Sequence, residues 1–190
     1  MSIRLDEILK KSQMLYDDRW CQLLRVIDKK NNINGYTYLH EIRCDGQIIS
    51  ILPYRVNKEN LEFLLRKEAT PCWELNNPVL SSITGGVDKN NTIIKTALKE
   101  LEEESGYKVY SSDMIPLGVC YGTKSTSTSY HLFSVNLTDY FPIQDLYIET
   151  EFERNATIEW HSYDSLLSAK DPFVFVSYVR LMAYLFHEKD

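Results

Sequence analysis

A helix that ends in acid is the feature that most narrows what this chain can become. Residues 97–107, ALKELEEESGY, carry Glu100, Glu102, Glu103 and Glu104 into the closing turns of a helical run and stop at Gly106. Ile93, Ile94, Ala97, Leu98 and Leu101 make one apolar stripe, which predicts a helix over 92–105. Asn91 or Thr92 is available as N-cap, and Gly106 suits the residue just past the end. The carbonyl end of a helix dipole favours Lys, Arg or His. Glu100, Glu103 and Glu104 are also neighbours at i, i+3 and i+4, where like charges repel by about 0.2–0.5 kcal/mol a pair. Turned onto a helical wheel, Glu104 falls beside Ala97 and Leu101 at the edge of the stripe. A solvated acidic face should point away from that stripe. Two readings follow: an ordinary exposed face with Lys95 and Lys99 nearby, or carboxylates gathered around a cation. A hard divalent ion, Mg²⁺ or Mn²⁺, takes oxygen ligands and commonly binds through a few carboxylates plus substrate phosphates.

That ion would also solve a charge problem. The net charge of −6 and pI near 5.3 oppose general affinity for nucleic acid or anionic membrane, and leave any phosphate-bearing ligand in need of a local cation. At 190 residues, 44% hydrophobic and 25% charged, the chain reads as one globular domain, or one domain with a small attachment. Cys21, Cys44, Cys72 and Cys120 are widely spaced with no CxxC, so reduced thiols are expected rather than zinc or a disulfide framework. The N-terminus lacks a signal-peptide core and no run is long enough to span a bilayer, so a soluble, cytoplasmic protein is expected.

Helical spacing of Leu5, Ile8, Leu9 and Leu15 predicts a leading helix over 4–16. Strands near 19–28 and 36–43 flank an Asn/Gly-rich turn and read as a hairpin. A second strand pair is expected at 46–56 and 61–67, then a long connection over 68–82 and a tight glycine loop at ITGGVDKNN, 83–91. Strands near 116–121, 129–137 and 156–161 and a final helix over 173–187 complete an α/β layered chain. That last helix carries Val174, Tyr178, Leu181 and Leu185 on one side.

The acidic helix and its flanks resemble a known family. Gly85–x5–Asn91–x7–Lys99–Glu100–Leu101–Glu102–Glu103–Glu104–Ser105–Gly106–Tyr107 is similar to the Nudix box, G-x5-E-x7-R-E-U-x-E-E-x-G-U with U bulky and apolar. Both glycines and all three metal-binding glutamates are in register. Asn91 stands where the first Glu belongs and Lys99 where the Arg belongs. In the family those two positions pair and brace the loop–helix–loop; Lys keeps the charge but loses the bidentate fork.

The resemblance implies a Nudix fold, an α-β-α sandwich with a mixed sheet, over 46–190, preceded over 1–45 by a helix and small β-hairpin dimerisation unit. Residues 16–187 look most like the ADP-ribose and ADP-sugar pyrophosphatases. In these the hairpin unit builds a domain-swapped homodimer whose aromatics stack the nucleobase. Trp20 matches one such aromatic, and Tyr38 or His40 the second; a core or interface tryptophan is the alternative for Trp20. ITGG stands where the subfamily has P-A-G, which maps a metal-binding carbonyl to Thr84, with Gly85 and Gly86 beside the substrate. Ser81 replaces the subfamily's Glu. Arg66 and Lys67 lie near its vRQyR segment, whose final Arg is here Ala69. The GTKSTSTS loop resembles the substrate loop but has no proline. IETEFERN resembles the loop that brings in a ligand or general base, so Glu149, Glu151 and Glu153 are candidates and Glu151 is preferred; a surface acidic loop is the alternative.

What the resemblance implies is a Mg²⁺-dependent pyrophosphatase cleaving a nucleotide sugar to a nucleoside monophosphate and a sugar phosphate. Glu100 and Glu104 would hold metal, Glu103 would ligate or act beside them, and Glu103, Glu151 and Glu153 are the candidate catalytic carboxylates. Trp20, Tyr38, Arg66, Gly85 and Gly86 would meet the substrate. Other expectations stay open: a dinucleoside polyphosphate, NADH or nucleoside triphosphate as substrate, or a Nudix module that binds a nucleotide sugar without turning it over.

Overall fold

The computed structural model describes residues 3–143 and 156–187. Its centre is β4 (Gln47–Asn57), buried without a break from Ile48 to Tyr54. Alternate residues of that strand serve opposite faces. Ile49 and Ile51 join one core with Leu64, Phe133 and Val135 under α2 (Ile93–Ser105). Leu52 and Tyr54 join another with Phe63, Leu65 and Leu132 under α3 (Tyr163–Ser168) and α4 (Pro172–His187). The stripe Ile93, Ile94, Ala97, Leu98 and Leu101 packs into the first core as its spacing requires. Val174, Tyr178, Leu181 and Leu185 pack into the second. The result is a mixed sheet between helical layers.

That sheet runs β10-β5-β4-β9-β8, using β5 (Asn60–Glu68), β8 (Met114–Tyr121), β9 (Ser129–Asn136) and β10 (Thr157–His161). β4 and β9 are parallel, whereas β4 and β5 are antiparallel. Along its other edge β4 changes partner: Ile48–Ile51 pair with β7 (Ile83–Gly86), and Tyr54–Asn57 pair with β5. Pro53 lies between these two blocks, where a residue without an N–H forfeits no ladder bond on that edge. Beyond this fork β5 continues against β6 (Val79–Ser81), with Arg66 opposite Ser81. The fork opens the space described below.

A separate three-stranded sheet, β1 (Ser12–Asp17), β2 (Cys21–Asp28) and β3 (Ile33–Glu41), leads the chain. Leu24, Val26 and Tyr38 form its small core, packed by Ile8 and Leu9 of α1 (Ile3–Lys10). β3 is stitched to the Ser/Thr-rich loop by Leu39 N to Ser125 O at 2.9 Å and Ser127 N to Leu39 O at 3.0 Å. The α/β architecture with a leading hairpin unit is as expected from the sequence.

Three local expectations fail. The leading helix ends at Lys10, and residues 12–17 are strand β1 instead. A strand edge on β2 offers backbone pairing that outweighs the local periodicity. ITGG is strand β7 rather than a tight loop, and the 68–82 connection contains β6. Glycine marks close approach there, not a turn. The candidates Glu149, Glu151 and Glu153 lie outside the described residues. Among the described residues no helix is long and apolar enough to cross a membrane.

Candidate active site

α2 is capped as its sequence specifies. Thr92 Oγ1 accepts from Lys95 N at 3.4 Å, and Gly106 closes the helix at φ 74°. Its terminal acids then part company. Glu102 takes Lys108 at 3.1 Å, and Glu103 takes Lys99 at 3.1 Å on an exposed flank. Glu104 turns inward across the fork to Arg66, whose Nη1 donates to Glu104 Oε1. Glu100 lies over Gly85: a Cβ placed on that glycine would sit 2.6 Å from Glu100 Oε1 and nearer still to Cδ. Gly85 is therefore glycine because the carboxylate passes directly above it.

Arg66 follows Leu64 at the two-residue period of β5, so it faces α2. It is 7% exposed, held between Glu104 and Glu68, the latter at 3.3 Å. Glu68 also accepts from Ser81 Oγ at 3.2 Å. Burial pushes the Glu104 carboxyl above its ordinary value; the Arg66 guanidinium opposes this, and the Glu100 and Glu68 carboxylates add to it. Glu104 Oε2 is buried and has no hydrogen-bond partner among the described residues.

These groups border a cavity of about 360 Å³. Glu41, Glu68, Glu104 and Asp171 line it against two cations, Arg43 and Arg66. Thr84, Gly85 and Gly86 form its floor, and Trp73, Tyr130 and Phe173 supply an aromatic wall. Tyr130 and Phe173 stack at 3.8 Å between centroids. Asp171 ties the wall to the fork: its Oδ2 accepts from Ser82 N at 2.9 Å and Ser82 Oγ at 2.6 Å, and its Oδ1 from Phe173 N at 2.8 Å. Arg43, reaching in from the segment after β3, is paired with Glu41 at 3.3 Å.

The structure thus brings Glu100, Glu104, Arg66, Thr84, Gly85 and Gly86 together and leaves Glu103 on the neighbouring flank with Lys99. Trp20 is exposed, with Arg19 stacked over its ring at 4.8 Å. Tyr38 is buried in the small sheet, bonded to Ser12 Oγ at 3.0 Å, and His40 meets Ser127 Oγ at 2.8 Å; neither borders this cavity. Sequence reading missed Arg43, Glu68, Trp73 and Asp171. Asp171 alone had a local signal, an Asp before the Pro that opens a helix. Among the described residues no three His, Cys, Asp or Glu side chains converge as a ready cation cage.

The fold is that of the Nudix hydrolases. A solved ADP compounds hydrolase is similar over 94% of this chain and 96% of its own, with TM-score 0.64 and 15% identity. A protein described as a Nudix hydrolase, from Listeria monocytogenes, is similar over 74% of this chain and 94% of its own, with TM-score 0.52 and 16% identity. No family model matches the sequence, and no curated protein does.

Proposed function

We propose that this protein is a divalent-metal-dependent hydrolase of a nucleoside diphosphate linked to a sugar or similar group. One observation carries the reading: Glu104, whose buried Oε2 has no partner among the described residues, faces an acidic cavity floored by Thr84, Gly85 and Gly86. Four carboxylates against two guanidiniums repel a diphosphate unless a cation intervenes, and an all-oxygen donor set suits Mg²⁺ or Mn²⁺. Glu104 and Glu100 would hold the ion, with the Thr84 carbonyl as the further ligand that the Nudix resemblance implies. When bound, it supplies positive charge to the diphosphate and Lewis acidity toward the attacking water.

The remaining roles fall to the chain itself. Gly85 and Gly86 keep the floor beside the substrate narrow enough for Glu100 to lie over the first and Cys44 against the second. Trp73 and the Tyr130–Phe173 pair offer flat apolar surface to a base or sugar. The similarity to an ADP compounds hydrolase supports an ADP-linked substrate over other nucleotides. Leu23 and Ile27 of β2, exposed on the face opposite Leu24 and Val26, support a homodimer through the hairpin sheet, which light scattering after gel filtration tests.

Incubation with ADP-ribose, ADP-glucose, NADH and diadenosine polyphosphates, with and without Mg²⁺, should give AMP from an ADP-sugar only when metal is present. Glu104→Gln should abolish most of that turnover and keep the fold. Turnover equal to wild type in that variant refutes the assignment. The pairing of Glu103 with Lys99 favours a second reading, a module that binds a nucleotide sugar without cleaving it. Thermal stabilisation by ADP-ribose with no product in Mg²⁺ would select it.

A further inference from the structure

Arg66 and Glu104 meet across the fork, both largely shielded from solvent. The Arg66 side chain is 9% exposed and the Glu104 side chain 10%. A buried ion pair adds little net stability over apolar packing, and this one borders a cavity rather than filling a core. Its cation sits against the carboxylate that the functional reading gives to a divalent ion. Two cations on one carboxylate repel strongly where water is scarce, so Arg66 and the ion cannot share Glu104 without mutual cost. Arg66 has a second anchor in Glu68, with Nε to Oε2 at 3.3 Å. It therefore stays in place in the fork when its hold on Glu104 is broken.

We propose that Arg66 is the resident counter-cation of Glu104 and competes with the divalent ion for it. Ion uptake by the protein alone is weakened by the pair. An anionic ligand in the cavity receives the guanidinium and strengthens ion uptake, so ion and nucleotide bind cooperatively through Arg66. Arg66 thus sets how tightly the ion is held, and this rests on the reading of Glu104 as a metal ligand.

Mn²⁺ binding, followed by the free-ion electron paramagnetic resonance signal, tests this without turnover. Wild type, Arg66→Met and Arg66→Lys would each be titrated with and without a methylene-bridged ADP-ribose analogue. Arg66→Met should bind Mn²⁺ at least about tenfold tighter than wild type when no nucleotide is present. Arg66→Lys should stay near wild type, and the enhancement by the analogue should shrink in Arg66→Met. Loss of structure does not tighten ion binding, so the gain separates this role from a structural one. Unchanged or weaker Mn²⁺ binding by folded Arg66→Met overturns the proposal. If that variant does not fold, the ¹⁵N signal of Arg66 Nε in wild type decides: it should move with the midpoint of Mg²⁺ binding, and a static signal while the ion binds overturns the proposal. Hydrolysis of ADP-ribose with Mn²⁺ affinity unchanged by Arg66→Met defeats this inference alone. Tighter Mn²⁺ binding in a protein that hydrolyses nothing supports it and defeats the enzymatic reading.

Discussion

Gly85→Ala separates the site from the scaffold that carries it. The added methyl would stand 2.6 Å from Glu100 Oε1 and closer to Cδ, so the carboxyl must retreat by about 1 Å to reach ordinary contact distance. Gly85 has no positive φ, so alanine suffers no backbone strain. The obstacle is the far end of a flexible side chain on α2, and a rotamer change there costs about 0.5–1.5 kcal/mol. The expected shift in melting temperature is about 1–6 °C, given about 2–4 °C per kcal/mol for a chain of this size. Function should suffer more, because a displacement of about 1 Å at a reacting centre can cost about a hundredfold in rate. Differential scanning calorimetry beside ADP-ribose turnover in Mg²⁺ would measure both. Wild-type turnover in Gly85→Ala would refute the placement of Glu100 over the glycine as functional. Gross unfolding would refute the claim that the side chain, and not the backbone, absorbs the methyl.

The bracing of the fork is tested by Asp171→Ala, which strips acceptors from Ser82 N, Ser82 Oγ and Phe173 N. The loss should be about 2–4 kcal/mol, read by urea denaturation; less than about 0.5 kcal/mol would show that the bridge is dispensable. The hairpin unit should loosen in acid. The Lys11 and Asn31 side chains hold Asp28 down to about 2, below its ordinary 3.8. A depressed carboxylate stabilises the fold above its unfolded pKa and loses that contribution as pH falls through about 3.8 toward 2. Amide exchange in β1–β3 should rise over that window in wild type and show no such step in Asp28→Asn. Lys99→Ala should change stability by less than about 0.5 kcal/mol, because its partner Glu103 is on an exposed flank and water screens the pair; calorimetry at low and high salt would show a larger effect as an error in the placement of Glu103.

How much of this was legible in the sequence differs by element. The apolar stripe of α2, its Thr92 cap and its Gly106 stop are local signals, and local physics decides them. The same holds for β4 and β5, whose apolar residues on either side of a polar NKEN turn read as a strand pair. Leu15 was misleading: its spacing extends the helical pattern, but at 46% exposed it stays outside the small core of the leading sheet, and residues 12–17 answer to β2 instead. ITGG misled for the opposite reason. Glycine signals both a turn and a close approach, and only the position of Glu100, on an element that follows it, distinguishes them. Arg43, Asp171 and the Glu68–Trp73 stretch lie far apart in the chain, and only the folded structure gathers them around one cavity. A proline inside the most apolar strand of the chain was visible, yet its consequence depends on which strand pairs on either side of it.

The acid at the helix end now has a physical account. Glu102, Glu103 and Glu104 each meet a cation of different origin: Lys108 just past the helix, Lys99 one turn back, and Arg66 from the sheet. The lysine partners are exposed, so they soften the clash with the helix dipole without fixing a geometry. Arg66 is different in kind, since a buried guanidinium can leave Glu104 only if another charge replaces it. A chain that needed only a soluble helix end would have stopped at the lysines. Carrying a third cation across the fork, and setting Glu68 behind it as a second anchor, makes Glu104 a carboxylate whose partner can change. That is the property a site must have if it is to exchange an internal cation for one that arrives with a substrate.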